Sequence, residues 1–139
     1  MVINRKLITP DGSVLESNHR HDFVTHIDKN GKRYMLDGGH MNEYYRRSAN
    51  GDEKIVEIRT EDGFDKVREH FGRWNSRNGK FIKLKYISDE WLQNIIDYFI
   101  LYGVTGRVFR LFVEEKIYRT EKEIYLSDLD MAVIHYPII

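Results

Sequence analysis

The chain has 139 residues, of which 41% are hydrophobic and 32% charged, a size and composition typical of one ordinary globular domain. Its 22 basic and 22 acidic residues cancel to a net charge of zero, so it lacks the basic excess typical of proteins that bind bulk nucleic acid. The absence of cysteine excludes disulfides, thiolate nucleophiles and cysteine-bound zinc, and it suits a reducing, cytoplasmic compartment. No apolar run reaches the ~20 residues of a membrane span, and none near the N-terminus suits a signal peptide.

The first half of the chain carries strand signals. Residues 6–8 and 13–16 predict two short antiparallel strands joined by a turn at Asp11-Gly12. The clearest hairpin joins residues 23–27 to 32–36 through Asn30-Gly31. A further pair, 44–47 with 54–59, completes a predicted antiparallel sheet of about four or five strands.

The register of the central hairpin depends on its turn. If Asn30-Gly31 form a type I′ turn, Ile27 faces Tyr34 and Thr25 faces Leu36, so these side chains and Phe23 share one apolar face. A three-residue loop with a glycine bulge would give a different register. The sequence leaves both open.

The second half of the chain predicts two or three helices packed against the sheet. An apolar stripe from Phe64 through Val67 and Phe71 to Trp74 indicates a first helix with Asp62 as its N-cap. Residues 81–86 predict a short extended segment. A second helix begins after Ser88 and ends at Gly103, and a third covers 104–118.

The apolar tail, residues 131–136, predicts a last strand that pairs within the fold or across a dimer. No repeat or linker interrupts the chain. The sequence therefore predicts a single α+β domain over residues 1–139.

The densest group of chemistry-bearing side chains lies between residues 18 and 47, which we call the polar hairpin. In the type I′ register one of its faces is polar, with Arg20, Asp22, His26, Arg33 and Asp37 on it. The candidate ligand-binding residues are His19, Arg20, His21, Asp22, His26, Arg33, Asp37, Gly38, Gly39, Arg46 and Arg47.

Three interpretations of the polar hairpin compete. His19 and His21, alternating in a strand, would lie ~6–7 Å apart and could hold a hydrolytic metal ion with Asp37 or His40. The arginines could instead grip phosphate or carboxylate groups of a nucleotide-like ligand or an acidic partner. The simplest alternative is a solvated sheet face with a tight turn at residues 37–39.

No Walker A loop, Gly-x-Gly-x-x-Gly, His-Glu-x-x-His or Gly-x-Ser-x-Gly motif is present, which counts against the common enzyme classes. We therefore predict a binding protein rather than an enzyme. No catalytic residue and no cofactor are predicted.

Three blocks of the polar hairpin resemble a known family. The blocks are His19-Arg20-His21-Asp22, Asp37-Gly38-Gly39 and Tyr45-Arg46-Arg47, and they look like those of small uncharacterised proteins encoded by tailed bacteriophages. The Thr-Pro-Asp-Gly segment at 9–12 and the acidic Tyr-Arg segment at 114–119 are similar too. The chain departs from the family pattern between Gly39 and Tyr45 and beyond Thr120.

This resemblance implies a phage protein that works in the cytoplasm of an infected bacterium, and it brings no activity with it. Three functions follow as expectations. The first is a non-enzymatic binder that counters host defence by sequestering a nucleotide-like molecule or blocking a host protein. The others are a metal-dependent hydrolase or nuclease using His19, His21 and Asp37, and a structural or assembly protein that oligomerises through its tail.

Overall fold

The structure is a computed structural model that describes residues 1–18, 22–39, 45–75 and 79–128. Helices and antiparallel strands are both present, which confirms the predicted α+β class. The strands are β1 Val2–Ile8, β2 Val14–Ser17, β3 Phe23–Ile27, β4 Arg33–Asp37, β5 Arg46–Arg47, β6 Lys54–Arg59, β7 Gly72–Asn75 and β8 Lys80–Lys83. The helices are α1 Phe64–His70, α2 Asp89–Leu101 and α3 Arg107–Lys122.

The chain divides into two compact units, Met1–Phe71 and Gly72–Ile139. The interpretation of residues 1–139 as one domain stays a prediction. None of the described helices is both long and apolar enough to cross a membrane.

The strands of the first unit form two three-stranded sheets rather than one larger sheet. The first sheet has the order β2-β1-β6 and the second the order β3-β4-β5. The predicted first hairpin is confirmed, because β1 and β2 pair antiparallel across a turn closed by the N–H of Thr9 and the carbonyl of Ser13 at 2.9 Å. The predicted pairing of 44–47 with 54–59 is wrong. β6 pairs with β1 at six positions, whereas β5 is only two residues long and pairs with β4.

The central hairpin adopts the glycine-bulge register. The carbonyl of Asp28 accepts the N–H of Gly31 at 3.1 Å, and the N–H of Asp28 donates to the carbonyl of Lys32 at 3.0 Å. Gly31 has φ +78°, as the bulge position of a three-residue loop requires. The Asp28 carboxylate stabilises this loop by accepting the N–H groups of Asn30 at 2.9 Å and Lys32 at 2.8 Å. The type I′ pairing is therefore wrong, and His26 lies opposite Tyr34.

This shift of one residue exchanges the faces of β3 relative to β4. Tyr34 and Leu36 are buried in a core with Leu7 and Leu15 of the first sheet. Val24 packs against that core, whereas Phe23 and Ile27 are 59% and 65% exposed. The predicted apolar face containing Phe23, Thr25 and Ile27 is therefore wrong.

Helix α1 is shorter than its apolar stripe predicts. It ends at His70, Phe71 is already extended, and Trp74 lies in β7, where it pairs with Phe81 of β8. Gly72 explains the change, because a Cβ there would lie 2.0 Å from the carbonyl oxygen of Ile82. Only glycine permits that close approach of the two strands. The predicted N-cap was also wrong by one residue, since Gly63 occupies that position.

The predicted second helix is confirmed as α2. Ser88 caps it by accepting the N–H of Trp91 at 3.1 Å, and Gly103 ends it with φ +64°. Helix α3 packs against α2 through Phe99 and Phe112, whose ring centroids lie 5.8 Å apart. The predicted strand at 131–136 lies outside the described residues.

Candidate functional site

The structure describes eight of the eleven predicted ligand-binding residues. His19, Arg20 and His21 lie outside the described ranges, as does His40. The alternative metal site of His19, His21 and Asp37 therefore stays a prediction. Within the described part of the chain, no group of three or more histidine and acidic side chains is placed to hold a metal ion.

Asp22, Asp37 and the glycines close the end of the polar hairpin. The carbonyl of Asp22 accepts the N–H of Gly38 at 3.0 Å, and the carboxylate of Asp37 accepts the N–H of Gly39 at 3.0 Å. Gly39 has φ +63°, which favours glycine. The other oxygen of Asp37 accepts Arg46 Nη2 at 2.9 Å. These hydrogen bonds hold the adjoining ends of β3, β4 and β5, and the tight turn at residues 37–39 stays a prediction.

His26 faces inward instead of joining the predicted polar face. Its Nε2 lies 2.8 Å from Oδ2 of Asp11 in the β1–β2 turn, and its ring stacks on Tyr34 at 6.5 Å. A hydrogen bond from the Thr9 hydroxyl, followed by that from His26, holds the pKa of Asp11 well below its ordinary value. Asp11 is therefore ionised, and its carboxylate accepts a hydrogen bond from His26 Nε2. The histidine ties the second sheet to this turn.

The exposed side of the second sheet carries a mixed set of side chains, which we call the outer face. The register places Phe23 opposite Asp37 and Ile27 opposite Arg33, and cross-strand neighbours share a face. Arg46 lies opposite Asp37 and is 74% exposed. The residues of the outer face are Phe23, Thr25, Ile27, Arg33, Met35, Asp37 and Arg46.

The described arginines do not converge on one point. Arg33 and Asp37 are four residues apart on β4 and Arg46 lies opposite Asp37, so the Cα atoms of Arg33 and Arg46 are about 13 Å apart. The Arg46 guanidinium is held at Asp37, with Nη2 at 2.9 Å from Oδ2. Arg47 lies opposite Leu36 and so points away from the outer face. Its guanidinium donates to the carbonyl of Ser48 at 3.3 Å. The spacing suits several separate acceptors rather than a single phosphate.

Sequence reasoning missed a buried arginine in each unit. Arg5 donates to Glu57 at 3.1 Å and lies 3.5 Å from the ring centroid of Tyr45. In the second unit, Arg119 and Glu115 are both buried. The signal for the second pair was available, because Leu111, Glu115 and Arg119 follow one another at four-residue steps along the apolar stripe of α3.

Arg119 lines a cavity of about 230 Å³ between α2 and α3, and each of its three nitrogens already donates a hydrogen bond within the unit. Its Nε donates to Glu115 at 3.3 Å, its Nη1 to Asp89 at 2.8 Å and its Nη2 to the carbonyl of Leu84 at 3.0 Å. The Asp89 carboxylate also accepts the N–H of Leu126 at 3.0 Å. This network links α2, α3 and the segment after α3, so the role of Arg119 is to stabilise the second unit.

No protein-family model, no curated protein and no solved structure matches the chain.

Proposed function

We propose that the chain is a non-enzymatic binding protein that uses the outer face to bind another protein. The observation that carries this proposal is the exposure of Phe23 and Ile27 on the same face as Arg33 and Arg46. Aromatic residues, methionine and arginine are enriched in protein interfaces, whereas lysine, glutamate and aspartate are depleted. Apart from Asp37, which pairs with Arg46, the outer face has this composition, with Met35 at its centre and no lysine or glutamate.

A protein partner fits this face better than a nucleotide does. A nucleotide would need several donors converging on its phosphates, whereas the Cα atoms of Arg33 and Arg46 are about 13 Å apart and the Arg46 guanidinium is held by Asp37. Acidic side chains on a protein surface can meet such separated arginines individually. The two exposed apolar side chains would then fill the space between the charged contacts.

The resemblance to phage proteins supports a partner from the infected bacterium. On this proposal the chain is an accessory protein that counters or redirects a host defence function by blocking a host protein. The absence of the common catalytic motifs supports binding over catalysis. The metal-dependent hydrolase and the assembly role of the tail stay predictions, and no described contact favours either.

The test compares proteins captured from a bacterial lysate by the wild type and by two variants. Phe23→Ser combined with Arg46→Ala should lose the specific partner, because it removes an apolar anchor and a charged contact. Lys66→Glu on α1 is the matched control, since that side chain is exposed and lies outside both sheets. Binding of the purified partner is then measured by calorimetry.

A second arm separates the nucleotide alternative. The melting temperatures of the wild type and of the double variant Arg46→Ala, Arg47→Ala are each measured with a panel of cyclic and linear nucleotides. Stabilisation by one nucleotide that disappears in the double variant would replace the protein partner by that ligand. Equal capture of the partner by the wild type and the Phe23→Ser, Arg46→Ala variant would refute the role of the outer face.

A further inference from the structure

Strand β3 has an open edge. It is the end strand of the second sheet, and no strand of the described ranges pairs with its other side. The ladder to β4 is bounded by two hydrogen bonds, from the N–H of Asp28 to Lys32 and from the N–H of Gly38 to Asp22, both at 3.0 Å. Antiparallel hydrogen bonding alternates along a strand, so even-numbered residues of β3 bond to β4 and odd-numbered ones face outward. The residues whose N–H and C=O groups face the open edge are Phe23, Thr25 and Ile27.

This edge lacks the devices that keep other edges from pairing. All three of its outward residues are exposed and uncharged. The opposite edge of the same sheet is β5, whose Arg46 and Arg47 would repel a second copy. β3 contains neither proline nor lysine, and its sequence Phe-Val-Thr-His-Ile is rich in β-branched and aromatic residues.

We propose that β3 pairs antiparallel with β3 of a second copy of this chain, with Thr25 on the two-fold axis. The three outward residues, Phe23, Thr25 and Ile27, have the same pattern in both chain directions, with threonine between two apolar residues. Antiparallel pairing about Thr25 therefore sets Phe23 opposite Ile27 of the second copy and Thr25 opposite its own equivalent. Aromatic with β-branched and threonine with threonine are both favourable cross-strand pairs. The same patch serves both copies, as a two-fold interface requires.

The backbone is equally self-complementary in this register. Each outward residue lies opposite another outward residue, so each N–H meets a C=O of the second copy. The two second sheets become one continuous six-stranded sheet, and the outer faces lie side by side. Phe23 of each copy then lies beside Ile27 of the other across the join, and both side chains, 59% and 65% exposed in the single chain, stay on the outer face.

Two aspartates limit the pairing to the five residues of β3. One position beyond each end, Asp22 would lie opposite Asp28 of the second copy. Like charges opposite each other are unfavourable. Both carboxylates accept backbone N–H groups of their own chain, Asp22 from Asn18 at 2.6 Å and Asp28 from Asn30 at 2.9 Å, which moderates the repulsion. Salt screens what remains, so the dimer should not weaken as salt is added.

The test is sedimentation velocity of the full chain over a dilution series, using a charge swap at the two-fold axis. Thr25→Lys and Thr25→Glu each place like charges opposite each other, and each should raise the dimer Kd about fivefold or more. An equimolar mixture of the two should dimerise at least as well as the wild type, because lysine then faces glutamate. Thr25→Ser is the matched control and should behave as the wild type does.

A second variant addresses the backbone. Thr25→Pro removes an N–H that β4 does not use, and edge strands tolerate proline, so the fold should persist while the dimer is lost. Far-UV circular dichroism checks that each variant is folded. If Thr25→Pro does not fold, the charge swap still decides.

Three results would overturn the proposal. The wild type could be monomeric throughout the series, both charged variants could retain the dimer, or their mixture could show no gain over either alone. The inference does not rest on the proposed function. Arg46→Ala should leave the dimer intact while weakening partner binding, and binding through arginines should weaken with salt whereas the dimer should not.

Discussion

Replacing Arg119 by methionine tests how strongly the buried ionic network stabilises the second unit. The guanidinium contacts the Glu115 and Asp89 carboxylates and the Leu84 carbonyl, and both Glu115 and Arg119 are buried. Methionine keeps most of the length and the apolar contacts of the arginine stem. It removes the positive charge and the three hydrogen bonds.

The expected loss follows from the burial of Glu115. Removing one partner of a buried pair costs about 3–5 kcal/mol, because a buried charge stays behind without its counterion. Replacing both partners, as Glu115→Leu with Arg119→Met, removes that charge as well. The remaining cost comes mainly from the Leu84 carbonyl, which loses the hydrogen bond from Arg119, and is about 1–3 kcal/mol. The double variant should therefore be more stable than the single one.

Urea unfolding followed by far-UV circular dichroism measures these differences. The signal reports mainly on the second unit, since α2 and α3 have 13 and 16 residues whereas α1 has seven. Arg46→Met is the matched control, because Arg46 also pairs with a carboxylate at 2.9 Å but is 74% exposed. An exposed ion pair contributes less than about 1 kcal/mol.

A loss of free energy of unfolding in Arg119→Met no larger than in Arg46→Met would contradict this stabilising role of the buried network. So would a double variant that is as unstable as the single one. That second result would mean that the buried charge of Glu115 is not the source of the loss.

Three further changes test local features of the fold. Gly72→Ala should destabilise the chain by about 2 kcal/mol or more, measured by urea unfolding, because its Cβ would collide with the carbonyl of Ile82. Ser88→Ala should cost about 1 kcal/mol and Ser88→Thr less, since only alanine removes the N-cap acceptor of α2. Burial alone would raise the pKa of Glu53, but hydrogen bonds from backbone N–H groups of the preceding turn outweigh it and lower the pKa from 4.5 to about 2. The stability that Glu53 contributes is therefore present above pH 4.5 and lost as the pH falls to about 2. In Glu53→Gln the melting temperature should depend less on pH over that range. An unchanged slope would contradict this assignment.

The polar hairpin shows how far the sequence reaches towards the candidate site. The strands and the loop at Asn30-Gly31 were predictable, because turn chemistry is local. The choice between the two turn types was not predicted, since it depends on the Asp28 side chain, which stabilises the bulged loop through hydrogen bonds to Asn30 and Lys32. A shift of one residue then moved Phe23 and Ile27 to the outer face and His26 inward.

Two other errors originate in contacts between distant segments. Trp74 fits the helical spacing of α1, but Gly72 lets β7 approach β8 closely and the helix ends first. Likewise, β6 could pair with β5 or with β1 on local grounds, and the longer ladder to β1 prevails. Neither the end of α1 nor the strand partner of β6 can be predicted from the adjacent residues alone.

By itself the sequence determined the α+β class, the first hairpin, and both ends of α2 at Ser88 and Gly103. Caps, turns and apolar periodicity act over a few residues, so they can be read along the chain. Only the tertiary structure decided which strands pair, which face of β3 is exposed, and that Glu115 and Arg119 are buried. Those outcomes depend on backbone hydrogen bonds and burial between residues far apart in sequence.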